Sequence, residues 1–408
     1  MIQNQDSKNN NILDCSGMNL TLLPIINNHA YLKIICCFNN LTSLPSLNKF
    51  LSLQNLDCCH NKILVLPLLK DLSSLIQLCC INNELSHLPQ MPSSLERLYC
   101  SNNKIERLPS LNNLSQLRIL KCEFNKLTSL PILPSLLEEL YCNNNCLTVL
   151  PLLPLSLKIL ACHNNGLSIL PSLPSFLEIL YCSNNRLITL PLLPSLLEEI
   201  HCSNNKLALL PSLPLSLELL DCHNNKLTEL PLLPLSLTRL YCQKNQLRLL
   251  PSLKNLPLNL LNCHSNNLII LPKLPSSLKM LYCYNNNLTV LPLLPSSLTQ
   301  LDCHNNELNL LPLLPKEIRI DCYGNPIYDI LYTRDFIFSE QNIIDRNKKY
   351  NNFRETYFLS KFRKRFLSWM WKSREERIKE QFHPKHLYQF INNNENKSEI
   401  DTFLINFK

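Results

Sequence analysis

Apolar and polar positions recur along most of the chain in an order that returns about every 20 residues. The stretch LERLYCSNNKIERLPSL, residues 95–111, is one pass through it. The unit reads L-x-x-L-x-C-x-x-N-x-L-x-x-L-P-x-L-P-x-S. In L-x-x-L-x-C the second leucine and the cysteine alternate with polar or aromatic residues. That period of two predicts a short strand buried on one face. Aligning the chain on this cysteine, from Cys15, Cys36 and Cys58 to Cys303 and Cys322, places sixteen of the 20 cysteines on one repeated position, 19 to 22 residues apart. A fixed period near 20 is the mark of a solenoid, and its strands stack as a parallel sheet about 4.8 Å apart.

The other repeated positions follow from the same geometry. Cysteine is small, apolar and commonly buried, so it fills an inner slot where leucine would crowd its neighbours. Three residues on stands an asparagine, for example Asn103, Asn125, Asn145 and Asn306. There the chain leaves the strand inside the coil, and buried backbone groups need partners. A side-chain amide supplies both donor and acceptor. On the return path prolines stand three apart, as in Pro151/Pro154 and Pro191/Pro194. That spacing excludes helix and predicts an extended, polyproline II-like convex side.

Composition narrows the function. The hydrophobic fraction of 45% supports a packed core. The only glycines are Gly17, Gly166 and Gly324, so no glycine-rich phosphate loop can be written. The net charge of +8 splits into +3 over residues 1–325 and +5 over residues 326–408. The polar start, MIQNQDSKNNN, predicts no secretory signal, and no apolar run reaches spanning length. The expected divisions are a capping segment with the first repeat over 1–30, the array over 31–327, a basic helical region over 328–390 and a flexible tail over 391–408.

This pattern resembles the leucine-rich repeat family over residues 12–327. The short unit with L-P-x-L-P is similar to the repeats of secreted effectors from enteric bacteria. The inner cysteine and the asparagine-rich flanks resemble leucine-rich repeat proteins of giant DNA viruses of amoebae. The resemblance implies a repeat solenoid, a horseshoe with its parallel β-sheet on the concave face, and a non-enzymatic interaction scaffold. Met18 replaces the asparagine in the first repeat, as expected of a terminal unit. Some effectors with such repeats carry a C-terminal ubiquitin ligase with a nucleophilic cysteine. No cysteine follows Cys322 here, which excludes that activity.

Strand residues flanking the repeated cysteine face outward. They nominate a partner-binding strip: Tyr99, Tyr141, Tyr181, Tyr241 and Tyr282 in one column, with His201, Asp221 and Asp302 among them. The adjacent column holds His163, His223, His264, Tyr284, His304 and Tyr323. Tyrosine offers contact area at little rotamer entropy and suits recognition surfaces; it also simply favours strands. Cys-His pairs such as Cys162-His163 point to opposite faces and cannot share a metal. Cys37, Cys59 and Cys79 flank their repeat cysteines and are expected to face outward as an exposed thiol cluster able to take a metal or oxidise. Ser203, Asp221 and His223 make a triplet on an open sheet without oxyanion donors, so no catalytic site, cofactor or enzyme activity is expected. Without a signal peptide, a buried cysteine ladder fits a reducing compartment, the host cytoplasm for a viral protein.

The tail departs from the repeat. Phe358, Phe362, Phe366, Trp369 and Met370 form a stripe, with Trp371 beside it and Lys361, Arg363, Lys364 and Arg365 on the other positions. This predicts a basic amphipathic helix stopped near Pro384, then a shorter one through Phe390. Such a helix serves as a cap on the last repeat, as a docking helix for a calmodulin-like partner, or as a surface for anionic membrane or nucleic acid. The functions in contention are a protein-interaction scaffold with an unknown protein partner, a structural or virion-associated spacer, and a membrane- or nucleic-acid-associated factor.

Overall fold

The computed structural model describes residues 11–24, 26, 29–327, 345, 347–348 and 351–352. The chain divides into two compact units, Met1–Glu340 and Gln341–Lys408. In the second unit the described residues are helical, and Asn351 Nδ2 donates to the Asn347 carbonyl at 3.0 Å. The predicted basic helix, with Lys361, Arg363, Lys364, Arg365, Trp369 and Trp371, lies outside the described residues.

The first unit is a solenoid. Sixteen strands of three residues each, from β1 (Ile12–Asp14) to β16 (Arg319–Asp321), form one parallel sheet in sequence order. The register is uniform: Leu98 pairs Leu120, and Leu120 pairs Leu140. These central leucines and the cysteine ladder are fully buried. From Cys15 to Cys303 each ladder N–H donates to the next repeat, as from Cys100 to the Lys121 carbonyl at 2.8 Å. Inward-facing strand leucines thus stack directly on one another, each burial worth roughly 1.5–3 kcal/mol. The return path carries no helix, as the paired prolines require. Its repeated serine has a role in the coil: Ser216 Oγ donates to the Leu197 carbonyl of the preceding repeat at 2.7 Å, and Ser297 does the same to Leu278. Among the described residues no helix is long and apolar enough to cross a membrane.

The asparagine ladder turns each corner by serving the repeat before its own. Asn185 Nδ2 donates to the Cys162 carbonyl of the preceding turn and to Cys182 of its own, both at 3.1 Å. Its Oδ1 accepts the Leu167 N–H at 3.0 Å, again from the preceding turn. Asn39 of the second repeat accepts the Leu20 N–H of the first at 2.9 Å, the same service to the turn before. The asparagine one place earlier has a different task. At Asn102, Asn164 and Asn224 the backbone is left-handed, with φ of 52° to 54°. Asparagine is among the few side chains that occupy this region readily, and Gly17 and Gly324 take the same place in the first and last repeats.

Candidate functional site

The uniform register lines up the outward residues into columns on the sheet face. In the column before the ladder cysteine, Tyr99 and Tyr141 flank Lys121. Lys121 Nζ lies 5.7 and 4.6 Å from their ring centroids, so the cation is held between two aromatic faces. Burial, then the Glu139 carboxylate, pushes the Tyr141 hydroxyl up to about 12. Further along, Tyr181 packs on His201 with centroids 4.8 Å apart, and His163 meets Tyr181 edge-on at 6.4 Å. Tyr241 and Tyr282 stand half-buried either side of Asn262.

Asp221 is the hub of the central stretch. Its carboxylate lies 2.6 Å from His223 Nδ1 and 3.6 Å from His201 Nδ1. Burial alone would raise this carboxyl, but hydrogen bonds from His201 and His223 outweigh it and hold it at about 2. Ser203 does not join them: it is buried, and its Oγ donates to Ser183 Oγ at 2.9 Å. The triplet read from sequence is therefore not assembled.

In the column after the ladder cysteine, four rings stack face to face. His264, Tyr284, His304 and Tyr323 follow one another at 4.1, 4.3 and 4.4 Å between centroids. His304 Nδ1 is engaged by Asp302 at 2.6 Å. Tyr323 continues the stack, and its ring is the exposed end. The expectation that His264 offers itself to a partner is corrected: only 8% of it is exposed, because Tyr284 covers its ring. Burial, then Lys244, His223 and His304, lowers its pKa to about 4.

The thiol cluster is also corrected. Cys37, Cys59 and Cys79 do come together on the sheet face, but each is buried, packed with Ile35, Ile81 and Tyr99. Large neighbours across the strands close over three small side chains. Cys146 is the exposed cysteine, and all twenty are free thiols.

The sheet face also holds polar atoms that the repeat pattern did not flag. Glu123 Oε2, His163 Nδ1, Gln243 Oε1 and Asn262 Oδ1 are buried without a hydrogen-bond partner among the described residues. All four flank ladder cysteines, so their outward placement was readable, but their lack of partners depends on neighbours about 20 residues away.

The family description "Leucine Rich repeats (2 copies)" matches residues 93–135. Among solved structures, YopM, a leucine-rich effector protein from Yersinia pestis, is 34% identical with a TM-score of 0.60, over 74% of this chain and 80% of its own. InlJ from Listeria monocytogenes, whose functional domain includes a cysteine ladder, is 27% identical with a TM-score of 0.64, over 74% and 69%. A leucine-rich repeat protein of Leptospira interrogans is 26% identical with a TM-score of 0.55, over 76% and 95%. No curated protein matches the chain. A parallel solenoid with this unit and these neighbours defines one class: the chain belongs to the leucine-rich repeat proteins.

Proposed function

We infer that the chain is a non-enzymatic interaction scaffold that takes a protein partner along the sheet face between Tyr99 and Tyr323. One observation carries this reading: the parallel register lines up half-buried Tyr99, Tyr141, Tyr181, Tyr241 and Tyr282 on that face, with polar atoms of Glu123, His163, Gln243 and Asn262 beside them. Half-buried tyrosines held by Lys121 and His201 present rigid area beside those atoms, the composition that recognition surfaces favour. The effector description of YopM supports a role directed at another protein. The resemblance of the repeats to those of giant viruses, together with free thiols throughout, supports a partner in the host cytoplasm.

The test is affinity capture from amoebal lysate with the full chain and with Tyr141→Ala, Tyr181→Ala and Tyr241→Ala combined. A stoichiometric partner is expected whose affinity falls at least about 100-fold in the triple variant, as the loss of several aromatic anchors implies. Circular dichroism of the variant should match the parent. Retention of the same partner by both proteins would move the site off this face. Capture of nothing by either would favour the rigid spacer.

A further inference from the structure

We propose that Cys37, Asp57, Cys59 and Cys79 form a binding site for one thiophilic divalent cation, zinc by its ligand chemistry. Four cysteines lie off the ladder, and three of them fall on or beside the adjacent strands β2 (Lys33–Ile35), β3 (Asn55–Asp57) and β4 (Gln77–Cys79). The register pairs Asp57 directly with Cys79. Cys37 and Cys59 occupy the neighbouring column, one place past their ladder cysteines.

The sulfurs of Cys37 and Cys59 and a carboxylate oxygen of Asp57 all lie within 4.8 Å of one another. Zinc at about 2.3 Å from each sulfur spaces tetrahedral thiolates about 3.8 Å apart. The three atoms therefore need to close by no more than about an ångström, which side-chain rotation supplies. Cys79 packs in the same cluster as Cys37 and Cys59 and pairs directly with Asp57, so it is placed to complete the fourth position. Asp57 is already oriented: its Oδ1 accepts the Cys59 N–H at 3.3 Å. Ile35, Ile81 and Tyr99 wall the cluster and leave the three sulfurs nearly closed to water, as a structural zinc site requires. Three thiolates with one carboxylate carry the same charge as a four-cysteine zinc site, and soft sulfur selects zinc over magnesium or calcium. Each thiol that ligates releases its proton to solvent. The ladder thiols do not compete, because they point to the other face of the sheet.

Cobalt(II) is the probe, added to the reduced full chain without oxygen. One equivalent should produce thiolate-to-metal charge transfer and tetrahedral ligand-field bands, and one equivalent of zinc should abolish them. Cys59→Ser should weaken cobalt binding at least about 100-fold and Cys79→Ser at least about tenfold, while Cys146→Ser leaves it unchanged. Asp57→Asn, which keeps the size and the acceptor for Cys59, is the second variant should the serine variants fail to fold; at least about tenfold weakening is expected. The proposal is overturned by a natively folded parent that gives no bands, by bands of equal strength in Cys37→Ser or Cys59→Ser, or by weak octahedral bands alone. A Cys37–Cys59 disulfide in peptide maps, with no metal bound after its reduction, would equally overturn it.

Discussion

Replacing Asn245 by alanine tests the load on the asparagine ladder. The side chain is buried. Its Nδ2 donates to the carbonyls of Cys222 at 3.0 Å, Cys242 at 3.1 Å and Gln243 at 3.3 Å. Its Oδ1 accepts the Leu227 N–H at 3.0 Å. Two N–H groups and one acceptor amount to about three hydrogen bonds, each worth about 1 kcal/mol net. The alanine also orphans the buried Leu227 N–H, which costs a further 1–3 kcal/mol or so. The expected loss is about 4–6 kcal/mol. An array couples mainly to its nearest neighbours, so the sharpest assay is local. Amide exchange by mass spectrometry, on peptides covering Leu227, should accelerate at least about 100-fold, the rate equivalent of about 2.7 kcal/mol. Urea unfolding of the full chain gives the global value. The control is Asn224→Gly, at the left-handed position, where glycine adopts φ of 52° without strain. It should change stability by less than about 1 kcal/mol. A loss below about 1 kcal/mol in Asn245→Ala, or equal losses in the two variants, would refute the corner-bridging argument.

Two further outcomes follow from buried groups that titrate. His264 takes its proton at about 4 in the fold against an ordinary 6.5, since burial and the facing Lys244, His223 and His304 oppose its charge. Its stabilising contribution is therefore full above pH 6.5, declines as pH falls towards 4 and then levels, by at most about 3 kcal/mol in all; His264→Gln should flatten that stretch of a urea-midpoint profile. Alkylation of the native protein at pH 8 should label Cys146 first, because it is exposed, while burial pushes ladder thiols such as Cys162 and Cys263 up to about 12; early modification of ladder peptides would contradict the buried column.

Much of the coil was legible in the residues. The alternation in L-x-x-L-x-C specified which strand side chains turn inward, and Leu120 and Cys122 are indeed fully buried. Paired prolines excluded a helical return, and the second asparagine announced a corner needing both donor and acceptor. The first asparagine of each pair was not legible, because a left-handed φ leaves no periodic signature once several residue types occupy it: Phe38, Lys244 and Ser265 hold the same conformation. The thiol cluster was legible as a grouping and not as a buried one, since its cover comes from Ile35, Ile81 and Tyr99. Likewise the aromatic strip was visible residue by residue, whereas the burial of His264 under Tyr284 was not.

By itself the sequence determined the repeating unit, because period, inward apolar residues and corner amides obey rules that act within about 20 residues and recur at every turn. Only the tertiary structure decided the chemistry of the sheet face. Each outward side chain meets residues one repeat before and after it, and those positions do not repeat. Lys121 gains two rings, Asp221 two histidines and Cys59 two thiols only because the parallel register sets those strands side by side.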